Sequence, residues 1–211
     1  MAGNSLTKIS MDSALIRFSK ELKNKNIEHF VFFGTLLGLI REGKPITGDD
    51  DVDFYVNKIF YQSVCDLLSS MGLIVDFSNH PNHTKHFIQV SGRLDKIEIR
   101  VDFYFYDTST DNNFLLEPWN FSGNPYNENK LLKLPKPLVF PLKVKKYLDT
   151  EIFVPQFSEI VCEFLYGKNW TIPKTKKIDY RVAMLGGRPV RIQSKKILIR
   201  ILSYLLLKFI D

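Results

Sequence analysis

The sequence predicts an α/β protein, and three observations support this fold class. Segments in which apolar residues recur at helical spacing alternate with short segments rich in β-branched and aromatic residues. Two of the strand-like segments carry aspartates directly beside apolar residues. The 211-residue chain is 45% apolar and 13% aromatic, which is ample for a core and excludes a disordered chain.

The first elements are a helix, a strand and a second helix. Apolar side chains at helical spacing predict an amphipathic helix over residues 10–24. Residues 29–33 predict a strand, which the pair Gly34 and Thr35 ends. Residues 35–43 predict a short helix that leads to an acidic segment.

Four aspartates lie within residues 49–53. The residues that follow favour a strand, so Asp51 and Asp53 are predicted to lie on it, with Tyr55 on the same face and the residues between them in the core. Carboxylates this close repel one another and call for a cation. Two on one strand face form the hard-oxygen site that Mg²⁺ prefers. The run alone is more typical of a solvated acidic turn, and it is the flanking strand residues that favour a metal site.

The middle of the chain continues the alternation of helices and strands. The pattern predicts a helix over residues 59–71, a short strand over 73–77, a polar loop over 78–85 and a strand over 86–90. Residues 96–107, KIEIRVDFYFYD, then alternate more regularly than any other segment. Asp102 is therefore predicted on a long strand, pointing away from its apolar face; an ion pair with Arg100 or a lysine is the alternative.

Two separated motifs resemble a known family. A strand ending in Gly-Thr, a helix, a strand with Asp-x-Asp and a later strand with one Asp resemble the nucleotidyltransferase-superfamily core. More narrowly, FFGTLLGLIREGKPITGDDDVDF resembles the LicD family of phosphocholine transferases and fukutin-type ribitol-phosphate transferases. PQFSEIVCEFLYGKNWTIP is similar to the family's C-terminal helix, which ends in Tyr-Gly before Trp and Pro. Gly48 departs from the family, which usually has an aromatic residue there.

The resemblance covers roughly residues 27–173 and implies a nucleotidyltransferase-like mixed sheet flanked by helices, with a C-terminal helical extension. It also implies transfer of a phospho-substituent, such as phosphocholine or a polyol phosphate, from a CDP conjugate to a hydroxyl of a cell-surface glycan, releasing CMP. The partners would be the CDP-linked donor and a glycan or lipid-linked glycan. Asp51, Asp53 and Asp102 would hold Mg²⁺ or Mn²⁺ and catalyse the reaction, with Asp102 accepting the hydroxyl proton.

Four further residues are candidates for substrate binding. Gly34 and Thr35 are expected to bring backbone N–H groups to the donor phosphates, or to form an ordinary strand-to-helix turn. Arg41 either clamps a phosphate or caps its helix. Asp49 is an extra metal ligand, a ribose contact or part of an acidic turn.

Two other functions fit parts of the sequence. A nucleotidyltransferase would attack the α-phosphate of a nucleoside triphosphate and release pyrophosphate instead of CMP. A non-catalytic module binding polyanions or membranes would account for the basic charge, but it has no need for three converging carboxylates.

The positive charge is concentrated at the end of the chain. Residues 168–211 contain 11 Lys/Arg and 2 Asp/Glu, whereas the remainder contains 18 and 21. This distribution weakens a nucleic-acid function for the body and predicts contact with an anionic surface. We therefore expect a catalytic domain over residues 1–173 and a basic amphipathic tail over 174–211.

The last 17 residues predict an apolar helix with a narrow basic side. It is too short and too charged to span a bilayer, and it fits a helix lying in the membrane interface, a dimer helix or a helix docked on the core. No signal-peptide pattern is present, and Cys65 and Cys162 are predicted to be free thiols. The expected location is cytoplasmic, with peripheral attachment to the inner face of the membrane.

Overall fold

A computed structural model describes residues 8–73, 86–117 and 132–173. Its elements, in chain order, are α1 (Lys8–Asn24), β1 (His29–Val31), α2 (Phe33–Arg41), β2 (Val52–Asn57), a 3₁₀ turn (Lys58–Phe60), α3 (Tyr61–Ser70), β3 (Phe87–Leu94), β4 (Ile97–Thr108), β5 (Phe114–Glu117), β6 (Leu132–Pro135), α4 (Lys136–Val139), β7 (Lys143–Tyr147), β8 (Thr150–Val154) and α5 (Ser158–Tyr166).

The first six strands form one mixed sheet. Its order is β1-β2-β4-β5-β6, with β3 also paired to β4. β2 and β4 run parallel, while β1 pairs with β2, and β3 and β5 pair with β4, in antiparallel fashion. The predicted mixed sheet flanked by helices is therefore confirmed, and its centre consists of the two strands that carry aspartates.

Both faces of these central strands are buried. On one face, the ring of Phe18 in α1 contacts the rings of Phe54 and Phe103, with ring centroids 6.5 and 5.7 Å apart. On the other face, Phe32 stacks on Tyr55 with ring centroids 4.3 Å apart. Tyr55 shares its face with Asp53 as expected, yet it is fully buried, because aromatic residues beside β1 cover that face.

Several predicted boundaries shift by a few residues. The first strand ends at Val31 rather than residue 33, because Phe33 has a φ of +39° and already begins α2. β3 extends to Leu94 and forms a hairpin with β4 through Asp95 and Lys96, both at positive φ, as a type I′ turn requires. The predicted strand over residues 73–77 and the loop over 78–85 lie almost wholly outside the described residues.

The sequence did not indicate the hairpin of β7 and β8, which forms a separate two-stranded sheet. Tyr147 of this hairpin donates its hydroxyl hydrogen to Asp12 of α1 at 2.6 Å. Lys20 and Lys23 of α1 form ion pairs with Asp149 and Glu151, at 2.8 and 2.6 Å. These contacts with the hairpin stabilise the position of α1, which covers one face of the sheet.

The chain forms two compact units, whose boundary lies inside α5: the first ends at Glu159 and the second begins at Ile160. The second unit contains the end of α5, which ends at Tyr166, as the Tyr-Gly motif predicted. Gly167 follows with a φ of +82°, a conformation that favours glycine at the end of a helix. The predicted domain boundary at residue 173 and the tail stay predictions, because residues 174–211 lie outside the described part.

Two further expectations concern the thiols and the membrane. Cys65 on α3 and Cys162 on α5 are thiols that are not joined in a disulfide, as predicted. Among the described residues, no helix has the length and apolar character needed to cross a bilayer.

Candidate metal and substrate site

The parallel pairing of β2 and β4 brings two carboxylates side by side. Asp53 and Asp102 are direct partners in the register, so their side chains emerge on the same face of the sheet. Asp51 joins them from the residue before β2, and ligand oxygens of the three lie within 4.8 Å of one another. Its predicted place on the strand was wrong, because strand pairing begins only at Val52.

The turn into α2 holds Asp53 from the other side. Thr35 N–H donates to Asp53 Oδ2 at 3.3 Å, and Asp53 N–H donates to Thr35 Oγ1 at 2.8 Å. A Cβ atom at Gly34 would lie 2.8 Å from Asp49 Oδ2 and 3.3 Å from Asp53 Oδ2, so only glycine lets the helix approach the carboxylates this closely. The predicted substrate residues Gly34, Thr35 and Asp49 therefore do adjoin the site.

Two residues that the sequence analysis did not assign hold Asp102. Gln89 Nε2 donates to Asp102 Oδ1 at 3.0 Å, and the Tyr104 hydroxyl donates to Oδ2 at 3.3 Å. Tyr104 was recognisable as the same-face neighbour two residues along the strand. Gln89 was not, because it lies opposite Asp102 through the pairing of β3 with β4. These bonds, with 4% exposure of Asp102, contradict the alternative of a surface ion pair.

Charged residues at the edge of the site form different pairs from those considered in the sequence. Arg100 Nη1 donates to Asp50 Oδ2 at 3.0 Å, with side chains that are 29% and 23% exposed. Arg41, at the end of α2, donates through Nε and Nη2 to its neighbour Glu42. Gly48 has a φ of +83°, a conformation that favours glycine in the turn before Asp49.

The carboxylates carry raised pKa values because they are buried near one another. Burial, followed by repulsion from neighbouring aspartates, raises the pKa of Asp51 from 3.8 to about 8. The same two causes raise the pKa of Asp53 well above its usual value. Burial raises the pKa of Asp102 to about 7, although its hydrogen bonds to Gln89 and Tyr104 act in the opposite direction. A cation would remove this strain by neutralising the ionised groups.

This donor set fits a divalent metal. All three candidate ligands are carboxylate oxygens, which suit hard cations such as Mg²⁺ and Mn²⁺ better than ions that favour sulfur or imidazole. Asp49, Asp50 and Asp51 also offer oxygens within 4.8 Å of one another. The acidic cluster could therefore bind a metal through Asp51, Asp53 and Asp102.

A mixed sheet that places three carboxylates beside a glycine-threonine turn defines a site of the nucleotidyltransferase or phosphotransferase type. Residues 26–156, more than half of the chain, match the family described as LicD/FKTN/FKRP, nucleotidyltransferase domain. The chain belongs to the LicD family. The match begins where the resemblance did and ends near the start of the predicted C-terminal signature.

The other comparisons add the following. A crystal structure of the lincosamide antibiotic adenylyltransferase LnuA with lincomycin bound is similar, with 12% sequence identity and a TM-score of 0.49. The similarity covers 72% of this chain and 82% of that one. A search of curated proteins found no match.

Proposed function

We propose that the protein is a metal-dependent phosphotransferase that modifies a cell-surface glycan or its lipid-linked precursor. The donor would be a CDP conjugate carrying phosphocholine or a polyol phosphate, and the second product would be CMP. The observation that carries the proposal is the convergence of Asp51, Asp53 and Asp102 within a LicD-family domain. Two buried carboxylates and a half-buried third, all with raised pKa values, weaken the fold, so a function is the best explanation for them.

The proposed reaction is a displacement at phosphorus. The acceptor hydroxyl oxygen forms a bond to the phosphorus that bears the substituent, the bond from that phosphorus to CMP breaks, and the hydroxyl proton passes to the protein. A bound Mg²⁺ or Mn²⁺ would supply charge neutralisation for the diphosphate. No covalent intermediate with the protein is needed.

Asp102 is the proposed acceptor of that proton. A carboxylate is sufficient for this role, because an acceptor hydroxyl beside a metal ion needs only a weak base. Gln89 and Tyr104 each donate to one of its oxygens, which keeps the carboxylate in a single orientation. Asp51 and Asp53 would complete the metal ligand set.

The residues around α2 are proposed to shape the donor site. Gly34 permits the close approach of the helix to the carboxylates, and Thr35 orients Asp53 through two hydrogen bonds. Asp49 adjoins Gly34 and is proposed as a further ligand or a ribose contact. Arg41 is proposed to contact a phosphate of the CDP conjugate, for which its guanidinium would have to leave its ion pair with Glu42.

A nucleotidyltransferase is the second candidate, because the matched family description contains a nucleotidyltransferase domain. The same three carboxylates would serve attack on the α-phosphate of a nucleoside triphosphate. The products separate the two reactions, since the first releases CMP and the second releases pyrophosphate.

The test is product analysis with full-length protein, Mn²⁺ or Mg²⁺ and a panel of CDP conjugates and nucleoside triphosphates. We expect CMP from at least one CDP conjugate, and its loss with excess chelator and in Asp53→Asn. The matched control is Asp107→Asn, which removes an exposed carboxylate from β4 and should keep activity. Pyrophosphate release would favour the second candidate, whereas no turnover of any donor would support a binding module.

A further inference from the structure

We propose that Arg100 binds phosphate oxygens of the diphosphate donor and so supplies a cation for substrate binding beside the acidic cluster. The inference deepens the proposed function and depends on the substrate being a diphosphate. It does not depend on which group is transferred or on which acceptor is used. The sequence predicts a phosphate contact for Arg41, whereas for Arg100 it suggests only an ion pair with Asp102.

The position of Arg100 on β4 directs it to the site. It lies two residues before Asp102, so both side chains emerge on the same face of the strand. Its Nη1 reaches Asp50, the residue beside Asp51, with 3.0 Å between nitrogen and oxygen. The guanidinium therefore lies between the strand that carries Asp102 and the segment that carries Asp51.

The electrostatics agree with this position. Burial dominates and raises the pKa of both Asp51 and Asp102, but the charge of Arg100 lowers the pKa of both. A single cation thus acts on the carboxylates contributed by two different elements. An anionic substrate held near these carboxylates would experience the same positive charge.

The chemistry of the side chain suits a phosphate. A guanidinium presents five N–H donors in a planar fork, and the hydrogen bond to Asp50 engages Nη1. The Arg100 side chain is 29% exposed, so a ligand can reach it from solvent. In contrast, Arg41 is 11% exposed and already donates from two nitrogens to Glu42.

Asp50 has a defined part in this arrangement. Without substrate, its carboxylate holds the guanidinium at the edge of the site. Phosphate oxygens are the same type of acceptor, so a bound diphosphate can share or replace that contact. Removal of the Asp50 charge should therefore leave diphosphate binding intact or strengthen it, whereas removal of Arg100 should weaken it.

The experiment measures binding of inorganic pyrophosphate to the full-length, Mn²⁺-loaded protein by calorimetry. We expect Arg100→Ala to weaken binding roughly 10- to 100-fold, as for loss of a charge-assisted hydrogen-bonding group. Arg100→Lys should bind pyrophosphate with an affinity between those of the wild type and Arg100→Ala, because lysine keeps the charge but lacks the planar guanidinium fork. Arg93→Ala, an exposed arginine on β3, is the matched control and should bind like the wild type. Mn²⁺ affinity should not decrease in Arg100→Ala.

A purely structural role for the ion pair makes a different prediction. Arg100→Ala and Asp50→Asn break the same pair, so equal weakening by both overturns the proposal. Unchanged pyrophosphate affinity in Arg100→Ala also overturns it, as does a wild-type protein that binds no pyrophosphate. Should Arg100→Ala not fold, wild-type affinity in Arg100→Lys is the overturning result.

Failure of the proposed function is a separate outcome. If no CDP conjugate yields CMP but pyrophosphate binding depends on Arg100, the function fails and the phosphate contact remains. If CMP is released and Arg100→Ala leaves the KM for the donor unchanged, the phosphate contact fails and the function remains.

Discussion

Replacing Asp102 with asparagine should stabilise the metal-free protein at alkaline pH. Asp102 is 4% exposed, and burial raises the pKa of its carboxyl from 3.8 to about 7. Between those pH values the folded protein keeps a proton that the unfolded chain releases, so folding stability falls as pH rises. At pH 8 the cost is about 4 kcal/mol, from about 1.4 kcal/mol for each pH unit that separates the two pKa values.

Asparagine removes this cost while keeping nearly the same volume and one acceptor oxygen for Gln89 or Tyr104. We expect Asp102→Asn to be more stable than the wild type at pH 8 in chelator, by up to about 4 kcal/mol. The difference should shrink towards pH 4, because the folded wild type stays protonated at Asp102 while the same carboxyl in the unfolded chain, with a pKa of 3.8, also begins to take up a proton. Excess Mn²⁺ should stabilise the wild type much more than the variant, because the variant lacks one proposed ligand.

Urea denaturation followed by circular dichroism measures these differences at each pH. Asp107→Asn is the control, since it removes an exposed carboxylate of the same strand that pairs with Lys58. Its stability should change by less than about 0.5 kcal/mol. A gap between Asp102→Asn and the wild type that does not grow with pH would refute the argument that burial strains an ionised Asp102.

Three other predictions concern the metal, the core and the tail. Mn²⁺ affinity should rise at least roughly 100-fold from pH 6 to 8, because the carboxyl groups of Asp102 and Asp51, with pKa values of about 7 and about 8, must lose their protons before they bind the ion. A Kd measured by calorimetry that does not change with pH would contradict this. Burial lowers the pKa of His29 from 6.5 to about 4, so the free energy of unfolding should fall by up to about 3 kcal/mol as the pH falls through this window. Urea denaturation at each pH measures this loss, and an equal loss in His29→Leu would disprove the assignment to His29. Deletion of residues 195–211 should abolish salt-sensitive sedimentation with anionic vesicles and leave metal-dependent turnover of a soluble donor intact; an unfolded truncation would show that the segment belongs to the core.

The sequence alone determined the α/β class and the elements with strong local periodicity. The alternation in β4 was predicted to within a residue at each end, and α1 and α3 to within a few residues. Periodicity is a local property, because a strand or helix exposes one face to the core whatever its partner is. The three aspartates were identified for the same reason, since each lies in or beside a strand that its own neighbours define.

Only the tertiary structure decided how those residues meet. The pairing of Asp53 with Asp102 depends on a parallel register between strands that lie far apart in the sequence, and packing of both sheet faces sets that register. The antiparallel pairing of β3 with β4 placed Gln89 against Asp102. The pairing of β2 with β4 begins only at Val52, which left Asp51 just ahead of the strand. Burial of Tyr55, the contact of the β7–β8 hairpin with α1 and the contact of Arg100 with Asp50 likewise involve segments that are distant in the chain. Local spacing carries no information on these contacts, because they depend on which surfaces pack together once the chain has folded.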